Sequence, residues 1–159
     1  MGSGKTTVLG EASDLLAARG IVHATLDLDA FAAVGVAEAL ALELTHRNLA
    51  ALYEQFVGAD LRRLLLAEAV ETRAELLALS EAMPGADLVV CRLTASFETM
   101  ERRLRVREPG INQTRFVSRA RELDRTLDAA GVEDFTLVND ARHVTDVARE
   151  LLTRAGWLT

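Results

Sequence analysis

The sequence predicts a three-layer α/β fold in which a parallel sheet carries helices on both faces. Three observations predict it. Short apolar runs alternate with longer segments of helical periodicity, the pattern of βαβ units. No internal repeat, low-complexity tract or Pro/Gly/Ser linker interrupts the alternation, so residues 1–159 read as one domain. Half of the residues (50%) are apolar, enough buried surface to offset the entropy of ordering a chain of this size.

The elements follow in order. Val8, Ala12, Leu15 and Leu16 lie on one helical face, and Gly20 suits the position just past its end. Residues 21–27 read as a strand. Residues 30–45 are Ala-rich and helical, interrupted near Gly35, and Leu49, Leu52, Tyr53, Phe56 and Val57 make a further stripe closed by Gly58. Leu64-Leu65-Leu66-Ala67 is a continuous apolar run, as in a strand buried on both faces. Helical spacing returns at 71–83 and ends before Pro84-Gly85, and residues 88–93 form another strand of the buried type. Phe97, Met100 and Leu104 mark a helix running to Glu108, where Pro109-Gly110 breaks it. Phe116, Ala120, Leu123 and Leu127 mark the next helix, ended by Gly131. Residues 135–138 are the last strand, and Val144, Val147, Ala148, Leu151, Leu152 and Ala155 the last helix, stopped by Gly156.

Composition narrows the function. A single cysteine, Cys91, excludes an intrachain disulfide and a four-thiolate zinc site, and its mid-strand position suits a buried apolar residue better than a nucleophile. A net charge of −6 and a pI near 5.1 argue against a nucleic-acid partner. No apolar stretch reaches the roughly 20 residues of a membrane span, and no charged segment precedes an apolar leader. A cytoplasmic protein without a membrane partner is expected. His23, His46 and His143 share no metal-ligand spacing, and Trp157 suits a packing anchor.

Of 18 basic residues only one is lysine, and it is Lys5 in Gly2-Ser3-Gly4-Lys5-Thr6-Thr7. Codon bias accounts for the arginine excess; a lysine that survives it points to a compact ammonium between phosphates. Gly4-Lys5-Thr6 is the second half of the phosphate-loop pattern G-x-x-x-x-G-K-[ST], and a helix begins where the pattern requires one. The amides of residues 2–6 would curl around a phosphate, Lys5 would reach the β- and γ-phosphates of ATP, and Thr6 would ligate Mg²⁺. The alternative is a Gly-rich start beside a helix N-terminus. The pattern's first glycine, and the central strand that feeds such a loop, are missing ahead of Gly2. The expectation is a chain that lacks roughly ten residues, a strand and the first loop positions.

Carboxylates gather at strand ends, where ligands bind in open parallel sheets. Asp27 and Asp29 follow the first visible strand; Asp29 is the expected acceptor-hydroxyl binder or base, and Asp27 a metal-shell residue or alternative base. A turn or cap role is the alternative for either. Glu68 closes the 64–67 run, as an acid does in a Walker B segment, and is a candidate for Mg²⁺ or the acceptor. Glu71 reads as a first-turn acid of the next helix. Arg102, Arg103, Arg105 and Arg107 crowd six positions, with Arg103 and Arg107 on one face. A solvated face paired with Glu101 and Glu108 is the plain explanation. The sharper one is a lid over residues 102–121, with Arg115, Arg119 and Arg121 on its other side and Arg103 and Arg107 clamping the transferring phosphoryl group. Arg47 and Asn48 either contact the acceptor or cap the Leu49–Val57 helix.

These motifs resemble the small P-loop kinases of the adenylate-kinase and adenylylsulfate-kinase type. The resemblance rests on Gly2–Thr7, Asp27-Leu28-Asp29, Met100-x-x-Arg103-Leu104-x-x-Arg107, and Val138-Asn139-Asp140 before the last helix. The chain is also similar to actinobacterial AAA-type ATP-binding proteins that end in a comparable Arg154-Ala155-Gly156-Trp157. The resemblance implies a P-loop NTPase-like sheet of order 2-3-1-4-5, with Asn139, Asp140 and the loop to His143 beside the adenine. It also implies that Arg103 stacks near the nucleotide and Arg107 contacts phosphates. The expected activity is Mg²⁺-dependent transfer of the ATP γ-phosphate to a small-molecule acceptor. The rivals are a nucleotide-binding module or slow ATPase without kinase activity, and an inactive truncated fragment. The acceptor and the oligomeric state are not legible.

Overall fold

The computed structural model describes residues 1–31, 35–107 and 110–159. In chain order these form α1 (Lys5–Ala17), β1 (Ala24–Asp27), a 3₁₀ turn (Leu28–Phe31), α2 (Glu38–Gly58) and β2 (Leu64–Ala67). Then come α3 (Arg73–Ala82), β3 (Cys91–Thr94), α4 (Phe97–Arg107), α5 (Gln113–Ala130), β4 (Phe135–Val138) and α6 (Val144–Arg154). The α/β alternation holds, and both strand ladders are parallel. β1 pairs with β2, Ala24 opposite Leu64 through Asp27 opposite Ala67. β3 pairs with β4, Cys91 opposite Phe135 through Thr94 opposite Val138. Among the described residues no ladder joins the two pairs.

One core lies where α1 meets α6. Leu16, Leu137, Val147, Ala148 and Leu152 are fully buried there, and Leu65 of β2 and Cys91 and Leu93 of β3 pack onto the same cluster. Both strand pairs therefore rest on one helical layer. A second core, centred on Leu28, Leu49, Leu79 and Met83, packs α2 and α3 against the opposite side of β1 and β2 through Leu26, Leu64 and Leu66. Each fully buried leucine contributes about 1.5–3 kcal/mol, so these two clusters set the layering.

Several boundaries differ from the sequence expectation. Residues 21–23 stay outside β1: the Ile21 carbonyl accepts from His23 Nδ1, and the His23 Nε2 is hydrogen-bonded to Ser13, so local polar contacts replace the ladder. Leu88, Val89 and Val90 precede β3 rather than belong to it, since the Val90 amide donates to the Asp134 carboxylate instead of a strand carbonyl. The two helical segments expected on either side of residue 46 are one helix, α2, which places Arg47 and Asn48 inside it and removes their capping role. Leu28–Phe31 is a 3₁₀ turn, not helix start. Leu64, Leu65 and Leu66 are half-buried although both faces of β2 meet a core, because among the described residues β2 has a strand partner along one edge only. The expected helix end at Glu108 and break at Pro109 lie outside the described residues, as do residues 32–34 of the Ala-rich segment.

Candidate active site

The glycines at the start of the chain have the backbone that their position demands. Gly2 (φ 76°) and Gly4 (φ 98°) are left-handed, a region that side-chain-bearing residues avoid, and Gly4 directly precedes α1. A Cβ on Gly2 would lie 2.9 Å from the Met100 carbonyl oxygen, and one on Gly4 would lie 2.5 Å from Asn139 Nδ2. Both glycines thus permit a close approach as well as a turn. The loop ends on the amino terminus of α1, where free amides and the helix dipole favour an anion.

Three acids converge on this loop from the carboxyl ends of β1 and β2. The Thr6 hydroxyl donates to Asp27 Oδ2 at 2.6 Å, and the Asp29 amide donates to Asp27 Oδ1 at 3.2 Å. Lys5 Nζ lies 3.9 Å from Asp29 Oδ2, while the Asp29 side chain is largely exposed. Glu68 follows β2, and its Oε1 accepts from the Ala69 amide at 2.6 Å. Burial pushes the Glu68 carboxyl above its ordinary range; the Ala69 bond opposes this, and the nearby Asp29 and Asp27 charges add to it. Lys5, Thr6, Asp27, Asp29 and Glu68 are therefore one neighbourhood.

Thr6 and Asp27 offer hard oxygen donors at hydrogen-bond distance from each other, which suits Mg²⁺. This ion uses one or two protein oxygens and completes its shell with water and phosphate. Among the described residues no group of three or more His, Cys, Asp or Glu forms an all-protein cage, and Mg²⁺ needs none.

The other side of the loop is built from α4 and the segment after β4. Arg103 Nη1 donates to the carbonyls of Gly2 and Ser3, each at 3.3 Å, and its Nη2 donates to the Asn139 carbonyl at 2.9 Å. Asn139, itself buried, donates from Nδ2 to the Ser3 carbonyl at 2.8 Å. Asp140 accepts from the Ser96 amide at 2.6 Å and from the Ser96 hydroxyl. The Ser96 amide holds its carboxyl below the ordinary range. Asp140 thus ties the β4–α6 loop to the start of α4. That contact had no sequence signal beyond Asp140 itself.

The arginines divide their work. Arg105 pairs with Glu101 on the outer face of α4, which is the solvated-face explanation, and Arg102 donates to Thr99 of its own helix. Arg121 stacks over Phe97, 4.1 Å from the ring centre. Arg119 of α5 pairs with Glu71, joining the 102–121 segment to the loop after β2. Glu71 is not a first-turn acid: α3 is capped by Thr72, whose hydroxyl accepts from the Glu75 amide, and Glu71 lies just outside. Arg107 and Lys5 both act on the amino group of Met1, which burial foremost lowers to about 6, so Arg107 stands within electrostatic reach of the loop. Thr7 is exposed beside Thr6 on the first turn of α1. Cys91 is half-buried, and desolvation pushes its thiol up to about 12, which leaves no thiolate for nucleophilic chemistry.

The overall arrangement matches solved structures. The Mycobacterium tuberculosis APS kinase CysC, in complex with AMPPNP and APS, superposes with a TM-score of 0.66 at 17% identity, over 98% of this chain and 92% of that one. A sugar kinase from Janibacter sp. gives 0.67 at 19%, over 99% and 93%. A gluconokinase from Sinorhizobium meliloti gives 0.59 at 20%, over 96% and 85%. The chain shares its α/β fold with these three kinases. No family model and no curated protein matches the chain. Among the described residues no helix is long and apolar enough to cross a membrane.

Proposed function

We propose that this chain is an ATP-dependent phosphotransferase that moves the γ-phosphate to a small-molecule hydroxyl or phosphate acceptor in the cytoplasm. The observation that carries the reading is the meeting of Lys5 and Thr6, at the start of a helix behind two left-handed glycines, with Asp27 and Asp29 from a parallel strand end. The loop amides and Lys5 would hold the donor phosphates. Thr6 and Asp27, with Glu68 behind them, would hold Mg²⁺, which supplies charge neutralisation between the β- and γ-phosphates. Asp29, exposed and beside Lys5, would accept the proton of an attacking hydroxyl. Arg107, within electrostatic reach of the Met1 amino group, would add positive charge to the loop. Similarity to chains named as kinases supports the reading, as does the resemblance of the motifs to the adenylate-kinase and adenylylsulfate-kinase type. The same reading places a further parallel strand between β2 and β3, supported by two separate ladders that rest on one core.

A coupled assay for ADP release across sugars, nucleosides, shikimate-like acids and aminoglycosides tests the activity. Acceptor-dependent turnover is the expected result. ATP turnover indifferent to every acceptor would favour the plain ATPase instead. Lys5→Ala is expected to weaken MgATP binding by about tenfold or more, the scale of one lost charge-assisted contact, measured by calorimetric titration. Unchanged affinity would refute the phosphate-loop reading.

A further inference from the structure

We infer that Arg103 and Asn139 are positioning residues that strap the phosphate loop in its binding shape from behind. The inference rests on the nucleotide-binding function proposed for this site and deepens it. Arg103 reaches two successive loop carbonyls, Gly2 and Ser3, with one nitrogen and the Asn139 carbonyl with the other. Asn139 returns a hydrogen bond to the Ser3 carbonyl, which therefore accepts from both side chains. A trans peptide is planar, with its C=O and the following N–H pointing in opposite directions. Holding the Gly2 and Ser3 carbonyls on the α4 side therefore aims the amides of Ser3 and Gly4 the other way, into the concavity an anion would occupy.

Three further features agree. The Asn139 amide fills the space that a Gly4 Cβ would need, so the strap and the glycine are complementary. Ser3 and Asn139 are both buried, so water does not compete for the hydrogen bond between them. A guanidinium is a rigid fork with five N–H donors and can bridge three carbonyls; an ammonium, a single point on a flexible stem, cannot hold the same set. The positive charge also neutralises carbonyl dipoles whose negative ends crowd the back of an anion site. An Arg103 side chain engaged in these bonds acts on phosphate through the loop.

The test compares Arg103→Lys and Asn139→Asp with Arg105→Ala, a change on the outer face of the same helix. Amide hydrogen exchange over residues 1–8 of the ligand-free chain is expected to accelerate about tenfold in the first two variants, the scale of one lost charge-assisted bond. It should not change in R105A, and exchange in α6 should not change in any variant. Affinities for MgATP and for inorganic tripolyphosphate should fall by the same factor in R103K. Wild-type loop exchange and affinity in R103K would show that charge alone suffices and would overturn the strap. Weakened ATP binding with unchanged tripolyphosphate binding would place Arg103 on the base and would overturn it equally. Acceleration matched in α6 reports global loosening and also overturns it. A wild-type chain that binds neither ligand defeats the nucleotide reading, while the exchange comparison still decides the strap.

Discussion

Glu68 is a largely buried carboxyl whose charge costs stability. Its carboxyl is raised first by burial and further by Asp29 and Asp27. A carboxyl whose folded value exceeds its unfolded one binds a proton more readily in the native state. Its contribution to stability is therefore full below the unfolded value and is lost as pH rises through the folded one. Glu68→Gln, which stays neutral, is expected to raise Tm at neutral pH. The gain should vanish near pH 3, below the ordinary glutamate value of about 4.3. Thermal melts of both proteins across that range check the sign. A Tm gain that persists at low pH would mean the charge is not the cause. The same variant should weaken the response of Tm to added MgATP if Glu68 stands behind the metal as proposed.

At the scale of elements, helices were more legible than strand ends, although the sequence places the start of α3 too early, with Glu71 inside it. Thr72-Arg73-Ala74-Glu75 has the spacing of a capping box, and the Thr72 hydroxyl accepts from the Glu75 amide at 3.1 Å. The Glu75 carboxylate accepts at 2.7 Å from the Glu71 amide, one residue before the cap, instead of from Thr72. Thr72→Ala removes the side-chain cap and is expected to cost about 1 kcal/mol of stability, read from urea unfolding; Thr72→Ser should recover most of it. Helical periodicity and capping are local, so α1, α3, α5 and α6 stand close to where their apolar stripes predict them. Strands take their bounds from neighbours instead. Residues 21–23 and 88–90 are as apolar as the strands they precede, yet they lie outside the ladders because His23 and Asp134 capture nearby backbone groups. The site divides along the same line. Lys5, Thr6, Asp27 and Asp29 were readable because each belongs to a short motif at a known end of an element. The bond from Arg103 to the Gly2 and Ser3 carbonyls spans about a hundred residues, and helical spacing says only which face Arg103 shares with Arg107. Nothing in the sequence pairs Glu71 with Arg119 either; that contact exists because α5 folds back across the loop after β2.

At the scale of the whole molecule, the unusual feature among the described residues is two short parallel ladders in place of one sheet. A parallel pair leaves each strand with a row of unpaired amides and carbonyls on its free side, and parallel sheets are ordinarily buried on both faces. Here Leu64, Leu65 and Leu66 of β2 and Cys91 and Leu93 of β3 are only half-buried, although Leu65, Cys91 and Leu93 all reach the same α1–α6 core. One strand laid between β2 and β3 would pair both free sides and complete a five-stranded parallel sheet. Its carboxyl end would feed the loop that begins at Gly2, which is the strand–loop–helix order of a phosphate loop. A chain carrying a Val- and Ile-rich strand of about five residues and a short loop starting in Gly ahead of Met1 should therefore be more stable than the 159-residue chain. The expected gain in Tm is several degrees, in line with the roughly 2–8 °C that each 1 kcal/mol brings to domains of about this size. Amide exchange should slow at Leu64–Ala67 and at Cys91–Thr94 together, because one added strand would bond to both. Slowing at one ladder alone would place the addition on an outer edge. No change at either would mean that the two ladders are separate by nature and that the sheet has no fifth position.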